Sequence, residues 1–383
     1  MTIEIIENYP YRLVDEIQGV GFRTADLIAK KNGISPDSIF RAKAAIKYIL
    51  QKEAMELGNC FIEKDELKRI LKGLLAMETP SLDDAILELV VEGKIVEDVL
   101  NQRFYLSIID KYENDVAVKL NRMAEDNKIE LNFNIETIQR AMKIELSALQ
   151  KKAVELVAGN KVVLITGGPG TGKTTILKAV LEVFGNNNLS TELAAPTGRA
   201  AKRMEESTGR IASTIHRLLG YRGGDNDFVL EKNEEEPLEC DALVIDEASM
   251  IDIFLMGNLM RAIPDECRLI LVGDIDQLPS VGPGNILRDL IKSERIPAIK
   301  LDKIYRQGTE SLIVTNAHRI HHGMEPICNE EDKDFFFIRS SSAKEALDIV
   351  EDLAYNRIPK YYGFDPKNDI QILSAMKRGT CGV

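Results

Sequence analysis

The sequence predicts an α/β fold, a parallel sheet with helices on both faces, preceded by a helical region and a winged-helix-like region. Three observations predict it. From about residue 146, short apolar runs at 161–166, 191–195, 242–245 and 269–272 alternate with helical stretches, the pattern of strands buried on both faces. A glycine-rich turn, residues 167–174, lies between the first run and the helix after it. Before residue 146 apolar residues recur mostly at helical spacing, with one short hairpin. At 383 residues the chain has room for two or three domains of about 150 residues.

Residues 1–57 read as short helices. Leu13, Ile17, Ala25 and Ile28 are the apolar positions, the turn 18–21 interrupts them, and a further helix covers 42–50. In 58–110, helices at 65–75 and 82–91 precede strands at 93–97 and 103–106, a helix–helix–wing order. Residues 111–145 read as a charged helical connector, and 146–330 as the sheet domain. Within it, 219–238 breaks the alternation and reads as an inserted hairpin with 228–230 as one strand. Residues 331–383 open a second α/β unit with a strand at 335–338, a helix at 343–355 and a strand at 369–373. Two strands cannot bury the faces of such a unit, so the chain is expected to stop within a domain.

Composition removes several classes of function. No apolar run approaches the roughly 20 residues of a membrane span, and the N-terminus lacks the basic and apolar segments of a signal peptide. Five cysteines, at 60, 240, 267, 328 and 381, include no CxxC pair, which fits a reducing cytoplasm better than a disulfide scaffold. The net charge of −12 disfavours binding nucleic acid over the whole surface, but charge acts locally. Residues 225–247 hold ten acids against Lys232, whereas 197–222 hold six bases against Glu205 and Glu206. His318, His321 and His322 read as a surface helix end, since no cysteine or carboxylate stands at zinc spacing.

The sharpest chemical signal is Gly167-Gly168-Pro169-Gly170-Thr171-Gly172-Lys173-Thr174, followed by Thr175. It fits G-x-x-x-x-G-K-[ST] between a strand and a helix, the context of a phosphate-binding loop. Glycines let successive N–H groups turn toward phosphate oxygens, and the helix start adds positive potential. Lys173 is expected to reach the outer phosphates of ATP, and Thr174 to hold Mg²⁺. At the end of the third run, Asp246 is placed for Mg²⁺ and Glu247 to orient and deprotonate an attacking water. Gln277, after the fourth run, carries an amide able to donate to a third phosphate and accept from water. By composition alone the surrounding 273–284 stretch is also an ordinary glycine–proline turn. Gly19 and Gly21 allow a tight turn suited to a DNA phosphate, or to plain packing.

The order of these elements carries a resemblance. The phosphate loop, 195–201 (Ala-Pro-Thr-Gly-Arg-Ala-Ala), 246–250 (Asp-Glu-Ala-Ser-Met), Gly273-Asp274 with Gln277-Leu278-Pro279, and Tyr305-Arg306-Gln307 resemble helicase motifs I, Ia, II, III and IV of superfamily 1. The likeness is strongest to the RecD branch, in particular the long RecD-like ATP-dependent DNA helicases. Leu146-Ser147 with Gln150 is similar to their adenine-reading Q motif, 316–320 resembles a further RecD-like stretch, and 10–26 resembles their helix–hairpin–helix region. The resemblance implies a RecA-like P-loop NTPase motor and DNA-binding residues 1–57. It implies that Lys173, Thr174, Asp246 and Glu247 hydrolyse ATP, that Gln277 senses the third phosphate and that Arg306 is an arginine finger. Thr197, Arg199, Thr214 and His216 would touch single-stranded DNA, and the 219–238 hairpin would split duplex junctions. Travel 5′ to 3′, a role in DNA repair or recombination and a monomeric state belong to the same expectation.

Two departures qualify it. The helix–hairpin–helix region starts within ten or so residues of Met1, where the family usually has a further segment. Residues 372–379 with Gly382-Val383 resemble the opening of a second motor domain, so motifs V and VI are not in the chain. Such a chain is expected to bind nucleotide but to hydrolyse it poorly, because a transition-state arginine is worth about 10³ to 10⁵ in rate. Two readings stay open: an ATP-driven DNA motor, and a non-motor DNA-binding module with a nucleotide-dependent switch. A generic P-loop phosphotransferase would leave 273–284 and the N-terminal helices without a role.

Overall fold

In the computed structural model, which describes residues 9–17, 20–75, 79–125, 130–223, 228–302, 311–330, 333–374 and 379, the N-terminal helices form around small apolar side chains. A 3₁₀ turn at Pro10–Arg12 leads into α1 (Leu13–Glu16), α2 (Phe22–Lys31) and α3 (Ile39–Leu57). Helix α3 is longer than the expected 42–50, and Gly58 closes it in the left-handed region at φ 73°, the conformation glycine adopts without strain. Phe22, Ala25 and Ala29 share a core with Ala42, Ala45, Ile46 and Ile49. Of the apolar positions, Ile17 stays 41% exposed, since α1 ends before it. Gly19 lies outside the described residues.

A charge buried among these helices has to be paired. Asp26 accepts from Arg41 Nε at 2.7 Å and Nη2 at 3.2 Å, and from the Tyr11 hydroxyl at 2.9 Å. Lys30 Nζ stands 3.0 Å away. Arg41 also donates through Nη1 to the carbonyls of Pro36 and Leu75, each at 3.0 Å. Burial alone would raise the Asp26 carboxyl, but the bonds from Arg41, Lys30 and Tyr11 outweigh it and hold it at about 2.

The next region has helices α4 (Lys64–Leu75) and α5 (Thr79–Val91) and strands β1 (Phe61–Glu63), β2 (Ile95–Asp98) and β3 (Arg103–Leu106). The expected wing forms as the antiparallel pair β2–β3, from Ile95 opposite Leu106 to Asp98 opposite Arg103. Strand β1, three residues without a sequence signal, adds to the far edge of β3. Helix α6 (Ser107–Glu125) starts directly after β3, so the boundary expected at 110 falls inside a helix.

The sheet domain follows the expected alternation. Helices α7 (Ile135–Met142) and α8 (Ala148–Gly159) precede β4 (Val162–Gly167), then α9 (Lys173–Asn186), β5 (Thr191–Ala195) and α10 (Gly198–Thr208). The chain continues through β6 (Ser213–Thr214), α11 (Ile215–Leu218), the antiparallel pair β7 (Arg222–Gly223) and β8 (Phe228–Val229), and β9 (Ala242–Ile245). It closes with α12 (Ile253–Ala262), β10 (Arg268–Gly273), α13 (Ile286–Ser293) and β11 (Ala298–Leu301). The six-stranded sheet is parallel, in the order β11-β4-β10-β9-β5-β6. Every residue of β4, β9 and β10 is buried, because helices cover both faces. This is the expected α/β architecture, a parallel sheet with helices on both faces, with two edge strands, β6 and β11, beyond the four expected.

Helix α6 is more than a connector. Tyr112 lies against α12 at Gly257, where a Cβ would run into its ring. Its hydroxyl donates to Asn258 Oδ1 at 3.2 Å, its ring meets Phe254 edge-on at 5.2 Å, and the Arg261 guanidinium sits 4.7 Å from the ring centre. Arg261 pairs with Asp115 at 3.1 Å, and Asp265 with Lys119 and Arg122.

The chain divides into two compact units, Met1–Tyr305 and Arg306–Val383, earlier than the boundary expected after 330. In the second unit, α14 (Leu312–His321) has its N-terminus capped by Asp334, which accepts from Leu312 N at 2.7 Å. Asn316 exchanges two hydrogen bonds with the backbone of Ile327, so 311–330 folds with the second unit. Helix α15 (Ala343–Asp352) runs through a π-helical turn at Leu353–Arg357 into α16 (Ile358–Tyr362). The strands expected at 335–338 and 369–373 do not form. Phe336, Phe337 and Ile338 are exposed, and Asn329 takes the place of a partner strand by bonding both backbone groups of Phe337.

Because the Asp26 carboxyl is held below its ordinary 3.8, its stabilisation is complete above that pH and is lost as pH falls through about 2. Asp26→Asn is therefore expected to destabilise the chain by about 3 kcal/mol at neutral pH in urea titrations, since Arg41 is left without its counter-charge. The deficit shrinks as the pH is lowered and the wild-type carboxylate takes up its proton. A deficit that ignores pH would contradict the assignment.

Candidate active site

Three strand ends converge on one place. In a parallel sheet whose order doubles back, polar groups gather beyond the carboxyl ends of the strands. Strands β4, β10 and β9 are neighbours there, with Gly273 opposite Thr166 and Leu271 opposite Ile245. The turn Gly167–Thr174, the pair Asp246-Glu247 and the Asp274–Gln277 segment all lead off from those ends.

The turn after β4 needs its glycines. Gly170 and Gly172 have φ of 78° and 88°, and alternating left-handed residues turn backbone N–H groups toward one concavity. At Gly167 a Cβ would meet Leu301 O at 2.9 Å and Thr171 Oγ1 at 2.7 Å; at Gly172 it would run into the Gln150 amide nitrogen. Thr171 Oγ1 donates to Gly168 O at 2.9 Å. Lys173 folds its ammonium back over the turn, donating to the carbonyls of Gly167 and Gly168. Gly168, Gly170 and Thr175 are half-buried, while Pro169 and Thr174 face outward.

Gln150 is buried beneath this turn. Its Oε1 accepts from Ser147 N at 3.0 Å while Ser147 Oγ accepts from Gln150 N at 3.2 Å, a capping box that starts α8. Half of its amide thus holds the helix, and the nitrogen half lies beside Gly172.

Asp246 and Glu247 stand at the end of β9. Asp246 Oδ1 accepts from Glu247 N at 2.9 Å, and Glu247 has a φ of 54°, a left-handed backbone that is uncommon for a non-glycine residue and clusters at functional sites. Burial raises the Asp246 carboxyl, against the Glu247 N–H and the charges of Lys173 and Arg203. Burial and then the Asp246 charge raise Glu247, again opposed by Lys173 and Arg203. Glu247 Oε2 and Ser249 Oγ are buried with no hydrogen-bond partner among the described residues. An orphaned buried carboxylate oxygen that feels an ammonium's charge is a place made for a further polar group.

Gln277 is exposed; its Nε2 donates to Asp274 Oδ2 at 3.3 Å, and Ile275 N donates to Thr166 Oγ1 at 3.3 Å. Arg203, whose charge reaches both acids from α10, was missed because one arginine in the basic stretch 197–222 carries no distinguishing signal.

Of the residues expected to touch DNA, Thr197, Arg199, Thr214 and His216 follow the same edge further on, after β5 and β6, whereas Gly21 stands at the start of α2 among the N-terminal helices. Ala195 pairs with Thr214 across β5–β6. Thr197 caps α10 by accepting from Ala200 N at 3.2 Å, and Thr214 caps α11 by accepting from Arg217 N at 3.1 Å. Arg199 and His216 are exposed, the latter edge-on to Tyr221 at 5.2 Å. Arg306 lies outside the described residues. His318, His321 and His322 end α14, with His322 Nδ1 2.8 Å from His318 O. No helix among the described residues is long and apolar enough to cross a membrane.

Comparisons with known proteins agree with the order of these elements. Residues 1–61 match the family model described as the ATP-dependent RecD2 DNA helicase HHH domain, and 150–283 match an AAA domain. An ATP-dependent RecD2 DNA helicase of Deinococcus radiodurans is 33% identical over 384 residues, covering 96% of this chain and 51% of the relative. The RecBCD enzyme subunit RecD of Buchnera aphidicola is 27% identical over 405 residues (96% and 65%), and that of Haemophilus influenzae 32% over 262 (59% and 40%). The chain thus spans about half the length of the curated relatives it matches.

A carboxyl raised on folding binds its proton more tightly in the folded state, so it costs stability as pH rises. Glu247→Gln is accordingly expected to raise the melting temperature of the ligand-free protein at neutral pH. The gain should fade as pH drops toward the range where wild-type Glu247 is protonated. A lower melting temperature at neutral pH would contradict this.

Proposed function

We propose that this chain, which is similar to the RecD-like branch of helicase superfamily 1, carries the ATP- and DNA-binding parts of an ATP-dependent DNA helicase that moves on single-stranded DNA, with weak hydrolysis of its own. One observation carries the proposal. The turn of β4, the acids of β9, the Gln277 segment of β10 and the threonine-capped helix starts after β5 and β6 lie along one edge of one sheet. A nucleotide and a DNA backbone bound there would rest on the same strands.

The chain's own groups suit each role. N–H groups of residues 168–174 and the start of α9 favour a polyphosphate. Lys173, drawn from the carbonyls of Gly167 and Gly168, offers its charge to the outer phosphates. The Thr174 hydroxyl and the Asp246 carboxylate are hard oxygen donors of the kind Mg²⁺ takes; the bound ion would neutralise charge on the phosphates. Glu247, its Oε2 otherwise unmatched, accepts from a water and takes its proton, the general-base role. Gln277 distinguishes ATP from ADP through its amide. Thr197, Arg199, Thr214 and His216 hold backbone phosphates without reading bases. The β7–β8 hairpin is read as the element that meets duplex junctions, and 5′ to 3′ travel is taken from the family resemblance.

ATP hydrolysis by the purified chain, with and without single-stranded DNA, tests this reading. DNA is expected to stimulate turnover, and Lys173→Ala to lower it by about 10² or more. Arg199→Ala should weaken DNA binding alike for all sequences and flatten its salt dependence. Turnover that single-stranded DNA leaves unchanged would contradict the motor reading, whereas weak but DNA-stimulated turnover would count against the non-motor switch.

A further inference from the structure

The segment that joins the N-terminal helices to the wing touches a turn of the sheet domain that begins three residues beyond Gln277. Gly284 N donates to Gly58 O at 3.0 Å. A Cβ on Gly58 would stand 3.5 Å from Gly282 O, and one on Gly284 3.5 Å from Cys60 Sγ. The other side of the turn is gripped as firmly. Ile253 N donates to Pro283 O at 2.8 Å, and a Cβ on Gly282 would run into the Asp252 carboxylate. Ser280, buried, ties the turn internally by donating to Gly282 O at 3.0 Å and Gly284 O at 2.8 Å. The turn 280–284 is therefore held between the start of α12, six residues beyond Glu247, and the Gly58–Cys60 segment. Between it and Gln277 stand only Leu278 and Pro279, and Pro279 has little torsional freedom.

We propose that Gly58–Cys60 is a positioning element for Gln277. By holding the 280–284 turn it sets where the Gln277 amide stands against a nucleotide, and it ties the N-terminal region to recognition of the third phosphate. This rests on Gln277 being the group that distinguishes ATP from ADP. Gln277 touches the nucleotide in that reading; Gly58 and Cys60 act only through the turn.

Affinities for fluorescent ADP and for a non-hydrolysable ATP analogue test it in the full chain. Gly58→Val forces a β-branched residue into φ 73°, which should loosen the turn. The preference for the ATP analogue over ADP is expected to fall about fivefold, the equivalent of one neutral hydrogen bond, with ADP affinity unchanged. Gln277→Ala should do the same, and the double variant no more. Ile62→Ala, which opens a cavity in the wing core, serves as a control for lost stability and should keep the preference. An unchanged preference in Gly58→Val, an equal loss for both nucleotides, or the same loss in Ile62→Ala would overturn the proposal. If Gly58→Val does not fold, hydrogen exchange in the wild type decides. Amides of residues 58–62 are expected to exchange more slowly with the ATP analogue than with ADP, and equal rates would overturn it. A wild-type chain that binds neither nucleotide would overturn the ATP reading itself, whereas nucleotide binding with an indifferent Gly58 removes only this inference.

Discussion

A parallel sheet covered on both faces has one place to put polar chemistry, the edge where its strands end. Strands β4, β9 and β10 are wholly buried, so no charged group can stand along them without being paired. Their carboxyl ends are where backbone polar groups come free and where glycines and acids are tolerated. Everything in the candidate site depends on that constraint. The left-handed glycines 170 and 172 curl the β4 exit into a cradle, and Asp246 and Glu247 stand beside it because β9 is separated from β4 only by β10. Burial then works against charge at the site: desolvation pushes both carboxyls up, and the charges of Lys173 and Arg203 oppose it.

The N-terminal half of the first unit is built onto this lobe through specific contacts. Tyr112 lies where α12 has no side chain, and Arg261, Asp115, Lys119, Arg122 and Asp265 form ion pairs around it. Exposed pairs of this kind contribute little individually; the fit of Tyr112 against Gly257 sets the register. The Gly58–Gly284 bond is a second attachment, at the turn beyond Gln277. A region read as holding DNA and a loop read as sensing ATP thereby share a boundary.

The sequence was most legible where burial is strongest. The runs 161–166, 191–195, 242–245 and 269–272 are apolar because both faces of each strand meet helices, and all four became strands. β11 alternates exposed and buried residues over four positions, and β6 is two residues long, so neither produces an apolar run. The opposite error came from 335–338, where three phenylalanines and an isoleucine look like a buried strand. A strand also needs a partner for its backbone, and there Asn329 supplies one residue's worth. The phosphate turn was legible because glycine spacing, lysine and threonine form a local pattern. The adjacency of Thr197 and Thr214 was not derivable from spacing, since it arises from the pairing of β5 with β6. The grip of Gly58 on Gly284 joins residues with no pattern in common.

The central claim is that nucleotide and DNA share one sheet edge and so influence each other. Two ligands that bias one element must change each other's affinity by the same factor. The most direct measurement is the affinity of the chain for single-stranded DNA in the presence of a non-hydrolysable ATP analogue and, separately, of ADP. The account predicts clearly different DNA affinities in the two states. Equal affinities, with both nucleotides bound, would contradict it.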